Sequence, residues 1–479
     1  MATEGDDQLF TSADGEVLYG LDGDDQLTST HINTSLYGDG GNDRLTTTLI
    51  FGPGYLYGYG PSIGAQQDGG EGDDELTIDF AATPSPEQSI GNYLTLGQDG
   101  GSGNDRMVMN VQTGTEWVNI TATGGDGDDE IELSTEGTGG PARGQKVNQT
   151  IAGGAGADTI TASNTLYSSG EAVNSVTGGD GDDTVYLSAS VVLEPSKVTN
   201  QADGGADNDY LEAYAVADGL FNQATNALLG GTGDDQLVAY IINDGPSANT
   251  LNGGSGNDLI YSGYENLYEF SDYDALLIGE QGDDQLWAEA FLLGGGIEGV
   301  ISHILDGGAG EDALVSVIEG RAIGYTRLEL RAELMGGDDD DVLDATVDLN
   351  SSFFASWITP SISNLLLGGA GNDELTARIS IVINDVERPL NSFNLLSGDG
   401  GADRLEATID VSINQWAGMS QISVGRNELR GGEDNDVLIG RVIAAGPESQ
   451  PEVTVTAFSA LYGGGGNDTL TVYGGQGNT

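Results

Sequence analysis

The chain contains no cysteine and only two histidines, His31 and His303. Without cysteine there is no disulfide frame and no thiolate metal site. Lys and Arg together number 14 in 479 residues. A nucleic-acid surface needs clustered cations, so no nucleic-acid partner is expected. No apolar run approaches the roughly 18 residues of a membrane helix, so no membrane insertion is expected. The opening residues, Met1-Ala2-Thr3-Glu4-Gly5-Asp6-Asp7, do not read as a signal peptide. Neither histidine lies in a triad or a zinc-ligand spacing, and both read as surface or turn residues.

What the chain has instead is acid and glycine. Asp and Glu number 77, the net charge is −63, and there are 78 glycines without the one-in-three period of collagen. Such self-repulsion opposes compaction unless counterions offset it. Hydrophobic residues make up 37% and are placed at regular points, which a disordered acidic chain does not require.

The regularity comes from one motif. Leu366 to Leu375 reads Leu-Leu-Gly-Gly-Ala-Gly-Asn-Asp-Glu-Leu, and its core, Gly-Gly-x-Gly-(Asn/Asp)-Asp, recurs along the chain. The copies end on Asp7, Asp25, Asp43, Asp74, Asp105, Asp129, Asp158, Asp183, Asp209, Asp235, Asp258, Asp284, Asp312, Asp341, Asp373, Asp403, Asp436 and Asp468. Glycines at positions one, two and four permit a tight turn that aims carbonyls inward. A carboxylate at position six adds a charged oxygen. Carbonyls plus carboxylate, without sulfur or imidazole, form a ligand set for calcium. One turn holds too few oxygens, so the ion is expected between stacked turns, with all eighteen Asp as metal ligands. Stacked about 4.8 Å apart, those carboxylates would repel one another strongly without a cation.

Position four departs from Gly at Asp207, Asp339 and Asp434, where Asp tolerates left-handed angles. Position two is irregular at Leu21, Asp39, Glu280 and Asp399. If it supplies only a carbonyl, any outward side chain serves there. Position five is mostly Asp or Asn and reads as helpful rather than essential.

These nonapeptides resemble the repeats-in-toxin (RTX) family, whose repeats form a calcium-binding parallel β-helix. The resemblance implies an all-β, right-handed parallel β-solenoid of the β-roll type, running as a single continuous domain over residues 1–479. It also implies a secreted protein, since RTX proteins typically leave the cell by type I secretion. Family members often carry back-to-back nonapeptides with calcium on both edges of the coil. Here successive final Asp residues are 18 to 33 apart, so one calcium turn per rung is expected, opposite a calcium-free turn of variable length.

The segments flanking each motif read as strands. Leu405-Glu406-Ala407-Thr408-Ile409 alternates, and its small middle residue suits a thin core. Asn174, Asn200, Asn226, Asn249, Asn364, Asn394 and Asn427 each lie nine residues before a final Asp, while Asn33, Asn119 and Asn148 lie ten before. Stacked Asn side chains can hydrogen-bond along a parallel sheet. A short helix remains open in Tyr264 to Ala275. The longest apolar inserts, Phe51 to Tyr59, Tyr261 to Tyr273, Phe291 to Ile297 and Phe353 to Ile358, fall on the variable edge. They read as core caps or as lateral contact surfaces.

The expected function is structural and not enzymatic: a calcium-dependent extracellular or cell-surface protein that assembles into a filament or surface layer. A calcium-dependent adhesin for a glycan or host surface, with cell-surface polysaccharide as partner, and an accessory module of a secreted enzyme stay open. Asp468 lies 11 residues from the C-terminus and Asp7 is the seventh residue; 11 plus 7 equals 18, the spacing of the shortest rung. Head-to-tail stacking of copies is therefore expected to supply one further rung.

Overall fold

The computed structural model describes residues 2–52, 62–82, 90–138, 144–217, 219, 221–266, 272–293, 297–321, 325–351, 361–383, 390–413, 421–445 and 454–477. Alternating apolar and polar residues give each strand one inward face. In Glu374–Ile383 the inward residues Leu375, Ala377, Ile379 and Ile381 are buried. The chain divides into two units, Met1–Val238 and Ala239–Thr479, and each is a parallel β-solenoid.

In the first unit each motif joins two strands of successive sheets. Thr34–Gly40 enters the turn at Asp43 and Arg44–Phe51 leaves it. Strands that enter motifs pair in parallel with their counterparts one rung away, as do those that leave. The register places each residue two beyond a final Asp in one inward column. Leu27, Leu45, Leu76, Met107, Ile131, Ile160, Val185 and Leu211 fill it, all buried.

The second unit repeats the scheme, with Ile260, Leu286, Leu314, Leu343, Leu375, Leu405 and Leu438 in the corresponding column. Among the described residues there is no helix. Tyr264 to Asn266 and Tyr273 to Ala275 are strand, so that much of the helix left open in the sequence is extended, and 267–271 lie outside the described residues.

The Asn ladder holds the two sheets together. Asn174, Asn200, Asn364, Asn394 and Asn427 are fully buried. Asn174 donates to Asn200 Oδ1 at 3.0 Å and Asn200 to Asn226 Oδ1 at 2.9 Å in the first unit. Asn364 donates to Asn394 at 3.0 Å in the second. The same amides also cross the core. Asn394 donates to the Thr408 carbonyl at 3.2 Å and Asn427 to the Arg441 carbonyl at 2.9 Å.

The residues ten before a final Asp differ. Asn148 donates to Asn119 at 3.1 Å on the exposed face, and Asn33 sits in a turn with φ +57°. One residue of displacement moves a side chain to the other face of a strand. In their place Gln149 occupies the inward position, paired with Asn174.

His303 corrects the sequence reading. It is fully buried, and it stands nine residues before Asp312, the place other rungs give to Asn. Its strand neighbours in register are Ala275 and Ala332, so two small residues make room for the ring. His303 Nδ1 lies 2.9 Å from Ser316 Oγ. His31 is a half-buried turn residue, with Nδ1 3.1 Å from Thr11 Oγ1.

Of the apolar inserts, Phe51, Tyr261 to Asn266, Phe291 and Leu292 are described strand residues. The stretches 53–59, 267–271, 294–296 and 353–358 lie outside the described residues.

Candidate metal centre

The motif turn follows from its backbone angles. Position two has positive φ, as at Gly70 (+107°) and Gly101 (+109°), and position four likewise, as at Gly72 (+131°). Asp207, Asp339 and Asp434 take φ +74°, +76° and +75° at position four, as the sequence anticipates. Position two is stricter than expected. Leu21, Asp39, Glu280 and Asp399 are held at φ +79°, +74°, +81° and +69°, a region that costs an ordinary side chain roughly 1–2 kcal/mol. The carbonyl alone does not make that position tolerant.

Position one is glycine for a different reason. A methyl group on Gly38 would lie 2.3 Å from Asp43 Oδ2 and 2.3 Å from the carbonyl oxygen of Gly69, one rung on. On Gly100 it would lie 2.4 Å from Asp105 Oδ2 and 2.5 Å from the Gly124 carbonyl. In the second unit, Gly279 stands in the same relation to Asp284 Oδ2 (2.1 Å) and the Gly307 carbonyl (2.5 Å). At these turns the bare glycine thus lets its own turn's carboxylate and a carbonyl of the next turn approach its Cα closely.

The two oxygens of each final Asp have separate surroundings. Oδ1 accepts the backbone N–H of the preceding rung's final Asp: Asp25 N–H to Asp43 at 2.7 Å, Asp43 N–H to Asp74 at 2.6 Å, Asp284 N–H to Asp312 at 2.8 Å and Asp373 N–H to Asp403 at 2.9 Å. Oδ2 of Asp25, Asp43, Asp74, Asp105, Asp129, Asp158, Asp183 and Asp209 is buried without a hydrogen-bond partner. The same holds for Asp284, Asp312, Asp341, Asp373, Asp403 and Asp436. A buried anionic oxygen left unpaired is costly, and its repetition at one motif position marks a place for a cation. Asp235 and Asp258 are equally buried. Asp7 and Asp468 are only partly covered, and Asp7 Oδ2 accepts from Thr3 N–H at 2.5 Å and Thr3 Oγ1 at 3.0 Å.

Burial pushes these carboxyls upward. Asp43, Asp105, Asp129, Asp183, Asp312 and Asp403 rise to about 6. Asp74, Asp158, Asp209, Asp284 and Asp341 rise to about 7. Desolvation is the main cause, the N–H of the preceding rung opposes it, and nearby carboxylates add to it. Without a cation, the column resists ionisation.

Position five builds a second ladder, which sequence reasoning missed. Its side-chain oxygen accepts the backbone N–H of position five one rung later: Asn42 to Asp24 at 2.9 Å, Asp73 to Asn42 at 3.0 Å, Asn372 to Asp340 at 2.7 Å. Asp and Asn both present that oxygen. Their interchange at position five was the available signal.

Among the described residues no three acidic or histidine side chains converge on one point. The donor set is therefore one carboxylate oxygen per turn with main-chain carbonyls. All donors are hard oxygens, which fits calcium better than a transition metal. The final Asp Oδ2 and main-chain carbonyls of the turns would hold the ion. Calcium supplies the positive charge that the buried carboxylates lack.

A family model described as the RTX calcium-binding nonapeptide repeat (4 copies) matches residues 1–29, 146–164, 168–189, 241–264 and 423–441. These segments enclose the motifs ending on Asp7, Asp25, Asp158, Asp183, Asp258 and Asp436. No curated protein and no solved structure matches the chain. The chain thus carries RTX nonapeptide repeats in both of its β-solenoid units, and RTX nonapeptide repeats bind calcium.

Proposed function

We propose that this chain is a secreted structural protein whose solenoid is held by calcium and which assembles, copy upon copy, into an extracellular filament or surface layer. The final Asp of each motif, from Asp7 to Asp468, is its metal ligand. The column of buried Oδ2 atoms without hydrogen-bond partners carries the reading. RTX-repeat proteins are typically secreted, and extracellular calcium is abundant enough for weak sites.

Assembly is supported by the way rungs join. Junctions in both units use the same parallel ladder and the Asp N–H to Oδ1 bond, and many add the position-five bond. A rung from a second copy offers the same groups. The chemistry of the motif is spent on rung-to-rung contacts, which suits a structural role better than a catalytic one.

Circular dichroism and negative-stain microscopy, each with calcium and with chelator, test this. Strand signal and filaments or sheets are expected in calcium, and coil without assemblies in chelator. A strand-rich spectrum indifferent to chelator would refute the calcium role. Folded but strictly monomeric protein in calcium would refute assembly.

A further inference from the structure

In the second unit, four outward positions lie side by side across successive rungs: Ser363, Phe393, Arg426 and Phe458. They span about 14 Å at the usual strand spacing. The ladder between Asn391–Gly400 and Gln421–Glu433 begins only at Phe393 and Arg426. On the other side, where Gln421–Glu433 pairs with Thr454–Gly464, a bulge lies between Ser423 and Gly425, with φ +139° at Gly425. The four outward residues, with Ser361, Asn391 and Gly425, line a groove of about 400 Å³. Bulges often re-aim strands beside binding sites.

The groove combines three chemistries. The Arg426 guanidinium lies 4.8 Å over the Phe393 ring, and Phe458, 56% exposed, stands on its other side. Arg426 and Arg430 both pair with Glu428, so two cations share one anion. Within this cluster the cations outnumber the anion, in a chain of net charge −63. Finally, Asn391 with Ser361 adds an amide and a hydroxyl, 3.4 Å apart, to the lining.

We propose that this groove binds an acidic saccharide of the uronic-acid type. The aromatic faces pack against the apolar faces of sugar rings. Arg426 receives the carboxylate, for which a planar guanidinium is suited. The serine and asparagine groups meet the hydroxyls. Ionic screening beyond about 8 Å at physiological salt confines the repulsion of the distant acidic surface, so the local charge decides. This site is separate from the calcium turns.

The test is calorimetric titration of the full chain in calcium with a galacturonate hexamer, a neutral glucose hexamer and monomeric galacturonate. Arg426→Gln and Phe458→Ala are compared, with circular dichroism confirming the fold. One hexamer site per chain is expected, preferring the acidic oligomer and weakened about tenfold or more by either substitution. Four results would overturn the proposal: no binding, equal binding of the neutral hexamer, binding unchanged by both substitutions, or monomer bound as tightly as hexamer. Several sites per chain, scaling with calcium, would indicate bridging by the acidic turns and would also overturn it.

Discussion

Asn394 donates one hydrogen bond to Asn427 Oδ1 at 2.9 Å and another across the core to the Thr408 carbonyl at 3.2 Å. A single amide thus registers one rung against the next and one sheet against the other. Asn394→Ala should destabilise the calcium-loaded protein by about 1–3 kcal/mol, because the partner groups stay buried and lose their bond. Thermal unfolding in calcium measures it, with Asn148→Ala on the exposed face as the comparison that should change little.

The motif glycines make a paired prediction. Gly38→Ala places a methyl against Asp43 Oδ2 and the Gly69 carbonyl, so it should weaken calcium binding as well as the fold. Leu21→Gly relieves a left-handed φ of +79° and should stabilise the fold by about 1 kcal/mol. Ion stoichiometry and melting temperature, measured together, separate the two. A Leu21→Gly variant less stable than the parent would contradict the strain reading.

Charge can be separated from hydrogen bonding at Asp284. Asp284 Oδ1 accepts the Asp258 N–H at 2.8 Å, and its Oδ2 has no hydrogen-bond partner. Asp284→Asn keeps the acceptor and removes the charge. Calorimetric titration should count fewer ions, while distant rungs stay folded because solenoid repeats couple mainly to neighbours. Unchanged stoichiometry would remove Asp284 from the ligand set.

The pH response should reverse with calcium. In the folded, metal-free chain the buried Asp carboxyls titrate at about 6 to 7, above the ordinary value near 4. A raised acid stabilises the fold fully below its unfolded value, and that contribution is lost as pH rises through the folded value. In chelator the fold should therefore be more stable near pH 4 to 5 than at pH 8. His303 opposes this. Burial holds its imidazole down to about 3, so its contribution falls as pH drops below the ordinary range near 6.5. With one such histidine against many Asp, the acid trend should dominate. Calcium must displace those protons, so its affinity should weaken as pH falls below about 7 to 6. Chemical denaturation across pH, with and without chelator, checks both arms.

Much of this was legible in the residues. The final Asp, the aliphatic residue two beyond it and the inward Asn each recur at fixed offsets, and fixed offsets become columns when rungs stack. Position five was legible only in part, because its ladder depends on the shared acceptor of Asp and Asn rather than on one residue type. His303 was misread because a lone histidine has no periodic partner. Its meaning lies in the offset it shares with Asn and in the alanines beside it. The groove at Phe393 and Arg426 was invisible, since a bulge arises from how neighbouring rungs of unequal length pair.

The two ladders of the motif run in opposite senses. Final Asp N–H groups donate toward later rungs, while position-five N–H groups donate toward earlier ones. A rung therefore has two unlike faces. The later-facing side offers the Asp N–H together with the position-five oxygen, and the earlier-facing side offers the Asp carboxylate oxygen together with the position-five N–H. Two like faces brought together would set donor against donor and anion against anion. The coil is thus a vector, and any polymer that continues it would have two distinguishable tips, free to grow at different rates.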